Sequence, residues 1–262
     1  MSAIAKSRAA GNSVRSQVSP EEWEAREDLA ALYRTVAERK WDDHIFTHMT
    51  ARVPGTPNHF LVNPLGLAFN EITASSLLKI DDTGEKVLES EYPVLRAAFI
   101  IHSAVYKAVP QAQCAIHLHT PFGTAVSAQE DGLLPITQHA MMLGRIAYHE
   151  YEGVAVNEDE CERLGRDFDG CNVMILRNHG TLSWGISIPD AFNYAYNFER
   201  ACEYQINAMA GGAKLHVPSR EAIEASSPER LGRQSGKEGL FTRLSWNAVK
   251  RNLDRTDPSY RD

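Results

Sequence analysis

Apolar positions recur with two different periods along this chain. From Ser19 the sequence reads SPEEWEAREDLAALYRTVAE, with Trp23, Leu29, Leu32, Tyr33 and Val36 at helical spacing. Ser19 supplies an N-cap, Pro20 the first helical position and Glu22 the acid of a capping box, so a helix is predicted over 20–39. Between 44 and 91 the texture changes to short runs of β-formers, FTHMTARV, HFLVNP and LLKID. Pro54-Gly55-Thr56-Pro57 and Asp81-Asp82-Thr83-Gly84 mark the turns between them. Residues 92–108 read as a second helix ending before Pro110. A strand at 113–119 and a helix at 121–130 follow, then a loop through 132–140. The strand-like LGRIAYHEY and a helix at 157–167 lead to the apolar strand VMIL at 173–176, then to the turn Arg177-Asn178-His179-Gly180 and TLSWG. A long helix is predicted at 189–210, with Pro189 in its first turn and Gly211-Gly212 past its end.

This alternation predicts one α/β domain over 20–213 on a mixed or largely antiparallel sheet. A disordered arm is expected at 1–19 and a polar extension over 214–262. The arm carries Lys6, Arg8 and Arg15 and lacks the apolar stretch of a secretion signal. In the extension, Leu240, Leu244, Trp246, Val249 and Leu253 fall close to helical spacing, so 238–254 is predicted to be an amphipathic helix packed on its own domain or on a neighbouring subunit.

A net charge of −7 excludes the clustered basic face of a nucleic-acid binder. No apolar run approaches the roughly 20 residues of a membrane span. Four cysteines without Cys-x-x-Cys spacing (Cys114, Cys161, Cys171, Cys202) fit reduced thiols in a cytoplasmic protein.

The ten histidines include His117 and His119 in CAIHLHT. In a strand, residues i and i+2 project from one face, so these imidazoles stand side by side while Ile116 and Leu118 point the other way. Either they begin a divalent-metal site or the strand simply carries two imidazoles. His179, in the turn after VMIL, is a third candidate that spacing alone does not bring to the other two; its alternative role is to shape the turn.

HLHT followed by VSA, GLLPI, LGRIAYHEYEG, LRNHG and a long helix resembles the class II aldolase/adducin family over roughly residues 22–213. HFLVNPLGLAFNEITASSLLKI, GLLPI and AYHEYEG resemble its adducin-like branch most. The resemblance implies a three-layer α/β/α fold with a central, mainly antiparallel sheet. It also implies one divalent metal per chain, zinc first and manganese or iron next, held by His117, His119 and His179. A homo-oligomer, a tetramer by preference, with the site near a subunit boundary is implied as well.

The departures from the aldolases are local. The aldolase Ser-Ser-Glu-Trp motif, whose Glu lies four residues before a His, maps onto Arg96, Ala97 and Ala98 ahead of His102. The phosphate-holding Gly-Asn-x-Ser-x-Arg segment reads Thr47-His48-Met49-Thr50-Ala51-Arg52 and keeps only the hydroxyl and the arginine. The aldolases' acid/base tyrosine falls at or beside His139, a residue able to transfer protons near neutrality.

The expected function is metal-dependent carbon–carbon cleavage, by decarboxylation or aldol-type cleavage, of a small oxygenated acid or ketone without phosphate. His139 would serve as acid and Arg52 would orient the substrate, with Thr50, Arg96, His102 and Tyr260 as further substrate contacts. The alternatives are a non-catalytic, adducin-like assembly module and a three-histidine iron oxygenase.

Overall fold

The computed structural model describes residues 14–94, 96–153, 158–228 and 238–262, without the side chains of 57, 96–100 and 158–160. The chain forms two compact units, Met1–Phe99 with Arg243–Asp262, and Ile100–Thr242. The arm expected at 1–19 falls over 1–13 outside the described residues, and Val14 and Arg15 are helical.

In the first unit, α1 (Pro20–Glu38) starts where the sequence places it, with the Ser19 Oγ accepting from the Glu22 N–H at 3.1 Å. The capping box does not close in the expected way. The Glu22 carboxylate turns inward instead, to Arg26 Nε at 3.0 Å and Lys79 Nζ at 2.7 Å. Trp23, Leu29, Leu32, Tyr33 and Val36 are all buried. Strands β1 (His48–Val53), β2 (Thr56–Val62) and β3 (Leu78–Asp81) form an antiparallel meander. The first turn is tighter than predicted: β2 already begins at Thr56, and Gly55 at φ 74° supplies the reversal.

The tail helix, labelled α8 below, runs Leu240–Thr256 and is followed by a 3-10 turn at Pro258–Arg261. Its buried face is Thr242, Trp246 and Leu253, and the Trp246 Nε1–H and the Lys250 ammonium both donate to Asp28. Leu240 and Leu244, expected on that face, are exposed, because the rotation set by the Asp28 contacts turns them outward.

Helix α2 (Arg96–Ala108), which belongs to the second unit from Ile100 on, starts later than predicted, since the Pro93 carbonyl is held by the Leu65 N–H. Strands β4 (Cys114–Leu118), β5 (Ala147–His149), β6 (Val173–Leu176) and β7 (Gly180–Gly185) lie in the order β4-β7-β6-β5. Of these three pairs, β5–β6 is parallel and the other two are antiparallel. Helix α3 (Pro121–Ser127) is shorter than expected. The predicted loop after it contains one turn of helix, α4 (Gln138–Met141), capped by the Thr137 hydroxyl. Helices α5 (Glu158–Phe168), α6 (Ile188–Met209) and α7 (Arg220–Ala225) precede α8. Val126, Leu133, Val173, Ile175, Tyr194, Phe198 and Cys202 form the core beneath α6.

Candidate metal centre

Two strand ends of the second unit place the three histidines. Antiparallel pairing sets His117 opposite Leu182 and Leu118 opposite Thr181, so His119 lies just beyond the end of β4, beside the start of β7. Pairing of Leu176 with Gly180 closes β6 and β7 with a three-residue connection, Arg177-Asn178-His179. Asn178 takes the left-handed conformation, φ 56°, that such a connection needs. Gly180 must lack a side chain here: a Cβ would lie 2.6 Å from the Leu118 carbonyl oxygen and 3.0 Å from the His119 ring.

The imidazole centroids of His117, His119 and His179 are 4.8–4.9 Å apart, and one nitrogen from each ring lies within 4.8 Å of the other two. The donor chemistry fits a divalent cation. His117 Nδ1 is 3.0 Å from the Thr181 carbonyl oxygen; a carbonyl only accepts, so Nδ1 carries the proton and Nε2 keeps its lone pair. Burial, reinforced by His119, holds His179 down to about 4, so its ring is neutral at physiological pH. His102, on α2, is completely enclosed, and burial followed by its proximity to His117 pushes it well below the ordinary histidine range. Among the described residues the group holds no carboxylate. Three uncharged nitrogen donors suit zinc and also accept iron or manganese.

A small pocket opens against His179, lined by Ile101, His149, Tyr151, Glu152 and Arg177. Tyr151 stands half-exposed with its ring 6.4 Å from that of His179. The His149 Nδ1–H donates to Asp167 at 2.7 Å. No local signal marks these lining residues, although the segment AYHEYEG that resembles the adducin-like branch carries three of them, His149, Tyr151 and Glu152.

The other expected site residues are distributed differently. His139 stands outside the three-histidine group, its ring 5.3 Å from that of Tyr204, and burial and Arg200 lower its affinity for a proton. Thr50 and Arg52 lie on β1 of the first unit, Thr50 buried and Arg52 with its guanidinium over the Phe60 ring at 5.2 Å. Arg96 opens α2, and its side chain is outside the described residues. Tyr260 is buried in the first unit, where its hydroxyl donates to Asp254 at 2.8 Å.

A mainly antiparallel sheet whose strand ends converge three histidines defines an α/β protein with a candidate metal site. Residues 27–206 match the Class II Aldolase and Adducin N-terminal domain. The chain is 44% identical over 208 residues to alpha-adducin of Rattus norvegicus, covering 76% of this chain and 28% of that protein. The structure of an aldolase II superfamily protein from Pseudomonas syringae superposes with a TM-score of 0.89 at 46% identity, covering 95% of this chain and 99% of that one. L-fuculose 1-phosphate aldolase from Glaciozyma antarctica PI12 superposes at 0.79 with 25% identity, over 92% and 93% of the two chains. The chain therefore belongs to the class II aldolase and adducin family, and its fold is the expected α/β class. No helix among the described residues is long and apolar enough to cross a membrane.

Proposed function

We propose that this protein is a divalent-metal-dependent lyase that cleaves a carbon–carbon bond, by decarboxylation or aldol-type cleavage, in a small oxygenated acid or ketone without phosphate. The observation that carries the reading is the convergence of the His117, His119 and His179 nitrogens within 4.8 Å of one another. A divalent ion held by three neutral imidazoles keeps its full charge and an open position, which supplies a Lewis acid for a carbonyl or paired oxygens. The chain's own residues do the rest. Thr181 fixes the His117 tautomer, and burial keeps His179 unprotonated and able to ligate. The pocket against His179 gives a small substrate an apolar floor of Ile101, Leu164 and Leu176 beside the Tyr151 phenol.

Ala98 stands where the aldolases place their carboxylate, which favours carbon dioxide loss, a cleavage that needs no base to deprotonate a hydroxyl. A homo-oligomer, tetrameric by expectation, belongs to the reading, with His139 as the acid serving the site of a neighbouring copy. The test is turnover of the zinc-loaded protein on a panel of small hydroxy and keto acids, followed by carbon dioxide and carbonyl release. Release that disappears in His117→Ala supports the lyase.

A second reading is favoured by one comparison: identity to alpha-adducin, 44%, exceeds that to the fuculose 1-phosphate aldolase, 25%. A chain that binds metal and turns over nothing in that panel would be an adducin-like module. Oxygen consumption by the anaerobically iron-loaded protein would instead mark an oxygenase.

A further inference from the structure

Glu199, on α6, is 3% exposed. Its carboxylate accepts three hydrogen bonds, from the Thr120 hydroxyl at 2.5 Å, the Gly123 N–H at 2.9 Å and the Phe122 N–H at 3.2 Å. All three donors belong to the turn that begins immediately after His119 and enters α3. Burial pushes the Glu199 carboxyl above its ordinary range, and the three donors pull the other way. Enclosing a carboxylate costs several kcal/mol unless hydrogen bonds replace its water. An apolar side chain could fill the same space, but only a carboxylate accepts a hydroxyl proton and two amide protons converging on one group.

The same turn reaches the other strand-borne imidazole. A Cβ on Gly123 would lie 2.5 Å from the Thr120 hydroxyl, 2.7 Å from the Thr181 methyl and 3.2 Å from Glu199. These groups therefore pack around Gly123 at a point where no side chain fits. Thr181 is the residue whose carbonyl accepts from His117 Nδ1. One packed set, Glu199, Thr120, Gly123 and Thr181, thus adjoins His119 along the backbone and His117 through a hydrogen bond.

We propose that Glu199 is a positioning residue for the metal centre: it clamps the turn after His119 and, through Gly123 and Thr181, holds the His117 and His119 imidazoles in their converging directions. This rests on the reading of the three histidines as a metal site. Outer partners that orient a ligand typically change metal affinity about 10–100-fold when removed.

The experiment compares the full-length wild type, Glu199→Ala, Glu199→Gln and Thr120→Val. Zinc affinity is read by chelator competition, and ligand geometry by the visible absorption of the cobalt(II) form. Glu199→Ala is expected to weaken zinc binding about 10–100-fold and alter the cobalt spectrum. Glu199→Gln, whose single amide oxygen can replace Oε2 toward the Gly123 N–H and the Thr120 hydroxyl but faces the Phe122 N–H with an NH2 group, recovers part of both, and Thr120→Val is expected to lose less than Glu199→Ala. If Glu199→Ala fails to fold, Thr120→Val decides, since it removes one bond of the clamp. Variants with wild-type affinity and an unchanged spectrum would overturn the clamp alone. A wild type that takes up neither zinc nor cobalt would overturn the metal site and the clamp together.

Discussion

In the first unit the buried Arg26 guanidinium donates to Glu22 and to the carbonyls of Ala74 and Leu77, while Lys79 takes the other oxygen of Glu22. In the second unit three imidazoles face one another, two of them at strand ends or in a turn, with no carboxylate in the group among the described residues. Both clusters place polar side chains wholly or partly out of water, and they solve the problem in opposite ways. The first joins each charge to an opposite charge and ties α1 to the segment before β3. The second avoids charge: burial keeps His179 and His102 neutral, and the converging nitrogens have the character of ligands for a cation. A cluster that pairs its charges internally stabilises a fold, even with the Arg26 Nη2 left without a hydrogen bond among the described residues, whereas one that gathers donors toward one point is arranged for something else to bind.

Four changes would break or sharpen this contrast. The largest effect is expected from Arg26→Ala, which leaves Glu22 buried beside Lys79 alone. Chemical denaturation should show a loss of about 3–5 kcal/mol with the metal content of the folded protein unchanged. Gly180→Ala comes next. Its new methyl group meets the Leu118 backbone, which cannot yield as a side chain would, so a loss of up to about 3 kcal/mol is expected together with weaker metal binding.

The third is acidification of the protein stripped of metal. His179 is held at about 4 in the fold against an ordinary 6.5, so the unfolded chain takes up the proton first. The stability this contributes is fully present above pH 6.5 and is lost as pH falls toward 4. Linkage gives about 3 kcal/mol as a ceiling, and about 2 kcal/mol is expected because the ring is partly exposed. His102, pushed down in the same direction, adds to the loss. Added zinc should flatten the upper part of that profile by competing with protons for the same nitrogens. The smallest change is expected from Leu244→Ser on α8. It is 54% exposed, so thermal unfolding should move by no more than about 0.5 kcal/mol.

Local signals carried much of this structure into the sequence. Ser19 and Pro20 marked the start of α1, VMIL matched β6 residue for residue, and the two-residue period aligned His117 with His119. His179 was legible only through the family resemblance, because its approach depends on the pairing of β7 between β4 and β6, a long-range register that no local pattern encodes. The Glu22 carboxylate was misjudged for the same reason. A capping acid and an internal ion-pair partner look alike until Lys79, far along the chain, is placed beside it. On α8 the apolar positions predicted the helix but not its rotation, which the polar contacts of Trp246 and Lys250 with Asp28 decide. Glu199 and Tyr151 lie in segments that read as ordinary helix and strand edge, and only the folded chain shows what they touch.

The most direct test is the divalent-metal content of the purified wild type, set against that of His117→Ala prepared identically and measured by elemental analysis. One divalent ion per wild-type chain, with the ion lost from a folded His117→Ala, is the predicted result. A wild type without divalent metal, or a variant that retains the same amount, would contradict the assignment of the three histidines as its site.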